Sequence, residues 1–104
     1  MRLPETLKLQ AHDIPLLWDD ALTSEGGEKL WGKWDRHNRR ITLDSGLRDK
    51  PGLLLVTFLH EVGHALCDTY SVTLTDDDLD RLCEGFAAVL LDNKLVQSEA
   101  ISHQ

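Results

Sequence analysis

Leu53-Leu54-Leu55-Val56-Thr57-Phe58-Leu59-His60-Glu61-Val62-Gly63-His64-Ala65-Leu66 is the stretch that decides how the chain is read. Asp49 and Pro51 precede it as helix-start signals, and its apolar character carries on to Tyr70. A helix over about 51–70 is predicted. Leu54, Leu55, Phe58, Val62, Ala65 and Leu66 then share one broad apolar face. His60 and His64 are four apart, so both imidazoles fall on one face and can reach one cation. Glu61 between them points to the flank, where it can hold a polarised water rather than the ion itself. Two imidazoles in an apolar run are costly without a partner. Neutral imidazole suits Zn²⁺, which takes four ligands and keeps one position open in catalytic sites.

Two histidines leave such a site incomplete. Cys67 lies on their face, but three ligands from one straight helix project in parallel rather than converge. The next helix is expected over about 76–96. Thr75 is its natural N-cap, and Asp76, Asp77 and Asp78 fill the first turn, where carboxylates oppose the helix dipole. Leu79, Leu82, Cys83, Phe86 and Leu90 form its apolar stripe. Asp80 and Glu84, four apart beside that stripe, are the two candidates for the third metal ligand. A short connector and antiparallel packing bring them opposite His60 and His64. Whichever is not the ligand supports a histidine instead. Asp77 lies on the same side and reads as a first-turn charge. The plain alternative for all these carboxylates is a solvated acidic face.

The first half reads as strands and turns. Thr6 to Ala11 alternates polar and apolar, as a half-buried strand does. Ile14 to Trp18 is a second strand, with Pro15 placing it at a sheet edge or a strand start. Asp19 to Lys29 is polar, carries Gly26-Gly27, and reads as a loop or a short helix ending there. Leu30 to Asp35 and Arg40 to Asp44 flank a turn containing Asn38, which is a hairpin signal. Trp18, Trp31 and Trp34 are expected in the core or at contacts. His12 and His103 read as isolated surface histidines, and Cys83 as a small buried hydrophobe. The expected architecture is a single α+β domain. A twisted sheet of three or four strands, all within residues 6–44, packs on the two helices.

Composition narrows the function classes. The chain has 104 residues, 11 Lys plus Arg against 18 Asp plus Glu, and a formal charge of −7. A field of that sign does not attract a nucleic acid or an anionic membrane, so neither is expected as partner. No apolar stretch approaches the roughly 20 residues a bilayer demands. Met1 to Glu5 do not read as a secretory leader. Cys67 and Cys83 form no disulfide framework, and a reducing, cytoplasmic setting is the expectation.

Leu59-His60-Glu61-Val62-Gly63-His64-Ala65-Leu66, followed by Glu84-Gly85-Phe86-Ala87-Ala88-Val89-Leu90-Leu91, resembles the ImmA/IrrE-type zinc metallopeptidases, most of all their short phage and prophage members. Lys33 to Leu43 matches the strand pair of that family, and Asp92-Asn93 matches the end of its second helix. The resemblance spans roughly residues 6–96. It implies a small zincin-like fold and hydrolysis of a peptide bond in a regulatory protein substrate. It also implies a Glu as third ligand with an Asn or Asp four residues on, and aligned positions here hold Asp80 and Glu84. By contrast, Glu84 stands twenty residues after His64, the spacing at which thermolysin-like gluzincins carry their third Glu.

The expected mechanism follows from the motif. Zn²⁺ polarises water and the substrate carbonyl, and Glu61 takes the proton and returns it to the leaving amine. Tyr70 and His37 are candidate donors to the oxyanion. Gly63, which costs about 1 kcal/mol relative to Ala in a helix, marks a close approach by a neighbouring element. The Arg40–Asp44 strand is the expected edge for an extended peptide. The rival readings are a non-catalytic zinc-binding regulatory or adaptor domain, and a phage-encoded interaction protein that never loads metal.

Overall fold

The structure is a computed structural model that describes residues 2–96. It is an α+β fold in which one mixed sheet is covered by a pair of helices. Strand β1 (Thr6–Leu9) turns back at Gln10, which takes a left-handed backbone (φ 55°), into β2 (His12–Asp19). After a loop come β3 (Gly32–Asp35) and β4 (Arg40–Asp44). The four strands lie in the order β1-β2-β4-β3. β1 and β2 are antiparallel, β3 and β4 are antiparallel, and β2 and β4 run parallel with Leu16 opposite Ile41 and Trp18 opposite Leu43.

That order corrects two expectations. Arg40–Asp44 is not an edge: β4 is hydrogen-bonded on both sides, and β3 is the free edge. β2 is not an edge strand either. Pro15 is nonetheless tolerated, because it pairs with Thr6 of β1 and lies just before the Leu16–Asp19 stretch that pairs with β4. Between β2 and β3 the chain forms a loop rather than a helix. Thr23 and Lys29 bridge, and Gly27 supplies the positive φ (84°) of the tight turn between them.

Ile14, Leu16, Ile41 and Leu43 alternate along β2 and β4 and point to one side, where they meet Leu47, Leu54 and Ala65. Leu47 comes from a 3₁₀ turn (Ser45–Asp49) that the sequence pattern did not reveal. Asp44 starts that turn and is itself buried. It accepts hydrogen bonds from the backbone N–H groups of Leu22 and Gly46 and pairs with Lys29 at 2.6 Å. The loop, the turn and the sheet are thereby tied at one carboxylate.

Helix α1 spans Pro51–Tyr70 and α2 spans Asp76–Asp92. Pro51 opens α1, where a missing N–H costs nothing, and Ser71 closes it in the left-handed region (φ 57°). Thr75 caps α2 through its hydroxyl, which accepts from the Asp78 N–H at 3.1 Å. α2 ends at Asp92, short of the expected 96. Its buried side chains are Leu79, Cys83 and Ala87. Leu82 and Phe86, expected in the stripe, are half exposed (50% and 56%), because α2 packs chiefly on α1 and only a narrow strip is covered. Leu66 of α1 is exposed for the same reason. Gly63 lets the helices close: a Cβ there would come within 2.6 Å of Leu79 Cδ1. No helix among the described residues is long and apolar enough to cross a membrane. His103 and the tail from Ser98 lie outside the described residues.

Candidate metal centre

α1 presents different residues to its two neighbours. Leu54, Thr57, Glu61 and Ala65 recur at helical spacing and are buried on the sheet side. His60 and His64 form the adjoining line and turn toward α2. Their rings meet edge to face, centroids 4.6 Å apart, with Nε2 of one 2.9 Å from Nε2 of the other. Two nitrogens bound to one tetrahedral Zn²⁺ at about 2.0–2.1 Å lie roughly 3.3 Å apart. A small opening of the ring pair therefore reaches ligand geometry.

α2 brings its carboxylates to this pair. Asp76 Oδ1 lies 3.8 Å from His64 Nε2, and His60, His64 and Asp76 each offer a ligand atom within 4.8 Å of the other two. This group could hold a metal ion; two imidazoles and a carboxylate form a donor set that divalent first-row cations accept. Asp80 sits against the other ring, with Oδ1 2.7 Å from His60 Nδ1. It is off the N–H direction, so this buried nitrogen has no directed hydrogen-bond partner. Asp80 therefore neighbours the His60 nitrogen on the far side from the Nε2 pair, in ion-pair distance but without a formed hydrogen bond. Glu84 lines the same cleft without belonging to the three-residue group.

Asp76 was not among the expected ligand candidates, Asp80 and Glu84. It reads as a first-turn charge, yet Asp76, Asp80 and Glu84 recur every four residues and so share one face. That spacing was the available signal. Cys67, partly buried, and Cys83, buried, are both free thiols, and Cys67 is not in the metal-competent group.

Glu61 is 7% exposed, facing β3 rather than open solvent. Burial pushes its carboxyl up to about 7, against the pull of the Trp34 backbone N–H, and the charges of Asp76 and Asp80 add to the rise. Gly32 of β3 makes the room for it. A Cβ at Gly32 would meet Thr57 Cγ2 at 2.8 Å and the Glu61 carboxylate Oε2 at 3.0 Å. Burial lowers the His64 pKa, and His60 lowers it further, while Asp76, Asp68 and Asp80 oppose. Both effects favour a neutral imidazole, the form that binds metal.

Two open clefts flank the pair. The cleft on the His60 side, about 430 Å³, is lined by Trp31, Gly32, Glu61, Asp76, Asp80 and Glu84 among others and is acidic. The cleft on the His64 side, about 610 Å³, contains Trp34, Arg36, Arg39 and Asp68. Tyr70 and His37 line neither. No family model, curated protein or solved structure matches the chain.

Proposed function

We propose that the protein is a zinc-dependent metallopeptidase of zincin-like design, with His60 and His64 as ligands and Asp76 as the carboxylate within reach. The observation that carries this reading is the pairing of the two imidazoles at 2.9 Å with a buried Glu61 beside them. The resemblance of His60-Glu61-Val62-Gly63-His64 and its flanks to the ImmA/IrrE-type metallopeptidases points the same way.

A Zn²⁺ bound there supplies a Lewis acid that polarises water and a substrate carbonyl. The remaining work belongs to the chain's own groups. Glu61 would accept a proton from water at a carboxylate oxygen and later donate it to the leaving amine. Asp80 lies beside His60 Nδ1 at 2.7 Å, where a small rotation of either side chain would let it accept from that nitrogen and fix the ring. β3, the edge strand beside α1, is the strand to which an extended peptide would add, and its Trp34 N–H is already turned to Glu61. Gly32 keeps that edge clear of side chain next to Glu61. The substrate is accordingly an extended segment of a peptide or protein.

The test is hydrolysis of a mixed peptide library by the zinc-loaded chain, read by mass spectrometry. Chelator-sensitive cleavage that disappears in Glu61→Gln, with zinc still bound, supports the peptidase. Zinc binding without any cleavage by the wild-type chain supports the regulatory or adaptor reading instead. Its motivation would then be structural: a metal joining α1 to α2, which otherwise share only a narrow strip.

A further inference from the structure

The two clefts beside the histidine pair differ in charge: Glu61, Asp76, Asp80 and Glu84 line the one, and Arg36, Arg39 and Asp68 line the other. In the His64-side cleft Asp68 already has its partners. Trp34 Nε1 donates to its Oδ2 at 2.6 Å, and Arg36 Nε donates to the same oxygen at 2.9 Å. Arg39 has no carboxylate within ion-pair distance among the described residues. Its Nη2 donates to the Thr69 hydroxyl at 3.1 Å, its Nε is buried without a partner, and its guanidinium carbon lies 5.7 Å from the centre of the Trp34 ring. The group is therefore held in position while most of its donors remain unused.

The backbone adds a second observation. Arg39 has a φ of 52°, in the left-handed region, at the end of the β3–β4 turn. Gly or Asn takes that conformation at lower cost. An arginine there sets its side chain against Thr69 and Trp34 at the expense of some backbone strain.

We propose that the His64-side cleft is a carboxylate-binding subsite, in which Arg39 receives an acidic side chain or a free C-terminal carboxylate of the peptide. The planar guanidinium suits a carboxylate, which it can engage through two parallel hydrogen bonds. The acidic cleft on the His60 side repels the same group, so the two clefts together fix the direction in which an acidic peptide lies across the histidine pair. This assignment rests on the peptidase reading for its biological sense, but the binding site can be measured without hydrolysis.

The experiment uses the full chain with Zn²⁺ added, in the Glu61→Gln background. Three probes are titrated: an acetylated and amidated Gly-Asp-Gly, the same peptide with Asn in place of Asp, and acetylated triglycine with a free C-terminus. The Trp34 indole N–H resonance reports occupancy of the cleft. The expected result is that at least one carboxylate probe binds about tenfold more tightly than the Asn peptide, the effect of one charge-assisted pair. Preference for the Asp peptide assigns the subsite to an acidic side chain, and preference for free-acid triglycine to a chain terminus. Arg39→Asn, which suits the left-handed backbone, should abolish the preference, and Arg39→Lys should keep part of it. Equal binding of charged and neutral probes, or a preference that survives Arg39→Asn, overturns the proposal. Absence of cleavage by the wild-type chain would count against the peptidase and leave this binding result standing.

Discussion

Gly32 on β3 and Glu61 on α1 stand so close that a single added Cβ would lie 3.0 Å from the Glu61 carboxylate Oε2. The edge of the sheet and the proposed base are built against each other. Gly32→Ala should therefore destabilise the chain by about 1–3 kcal/mol, the usual cost of overpacking, and lower hydrolysis by displacing Glu61. Thr57→Ser removes the Cγ2 atom that the new Cβ would meet at 2.8 Å. The double variant should recover part of the lost stability in a denaturant melt, and full additivity of the two changes would contradict the contact.

Gly63 and Leu79 make the matching test between the helices. In an open helix, Gly→Ala would stabilise by about 1 kcal/mol. Here the new Cβ would lie 2.6 Å from Leu79 Cδ1, and Leu79 is buried. The expectation is net loss of stability for Gly63→Ala in the native background and net gain in a Leu79→Ala background. The same sign in both would mean that the helices do not close as described.

Asp44 should set the acid limit of the fold. Lys29 and the Leu22 and Gly46 N–H groups hold its pKa at about 2, below the ordinary 3.8. Its ionised form is the one the fold favours. The stabilisation is thus complete above about pH 4 and is lost as pH falls toward 2. Circular dichroism against pH should show Asp44→Asn less stable at neutral pH, with a shallower loss between pH 4 and 2 than wild type.

The carboxylates of α2 should separate by role. Asp76→Asn is expected to weaken zinc binding most, because Asp76 completes the three-residue group. Asp80→Asn should weaken it by about 10–100-fold, as loss of a ring-orienting partner does. Glu84→Gln should have the least effect. A competition assay with a fluorescent zinc chelator ranks the three, and the largest loss at Glu84 would reassign the third ligand to that residue.

α1 was legible in the sequence at its full length, since Pro51, the apolar run and the H-E-x-x-H spacing are local signals. Thr75 as a cap was legible for the same reason. The sheet order was not. Whether Arg40–Asp44 lies inside or at the edge depends on its parallel pairing with β2, which brings Leu16 opposite Ile41 across the intervening loop and strand. No periodicity in either strand encodes that choice. The strip of α2 that is buried was also misread. Apolar spacing alone allows Leu82 and Phe86 as readily as Ala87, and only the approach of Leu79 to Gly63 selects among them. Asp76 was obscured by a competing local explanation, the helix dipole. Gly32 gave no signal at all, because its neighbours Thr57 and Glu61 are distant in sequence.

Isothermal titration of the metal-free chain with zinc chloride, repeated on His64→Ala, tests the central claim most directly. The account predicts one Zn²⁺ per chain in the wild type, with binding lost or reduced by orders of magnitude in the variant. No binding by a folded wild-type chain, or equal affinity in His64→Ala, would contradict a metal centre on the paired histidines.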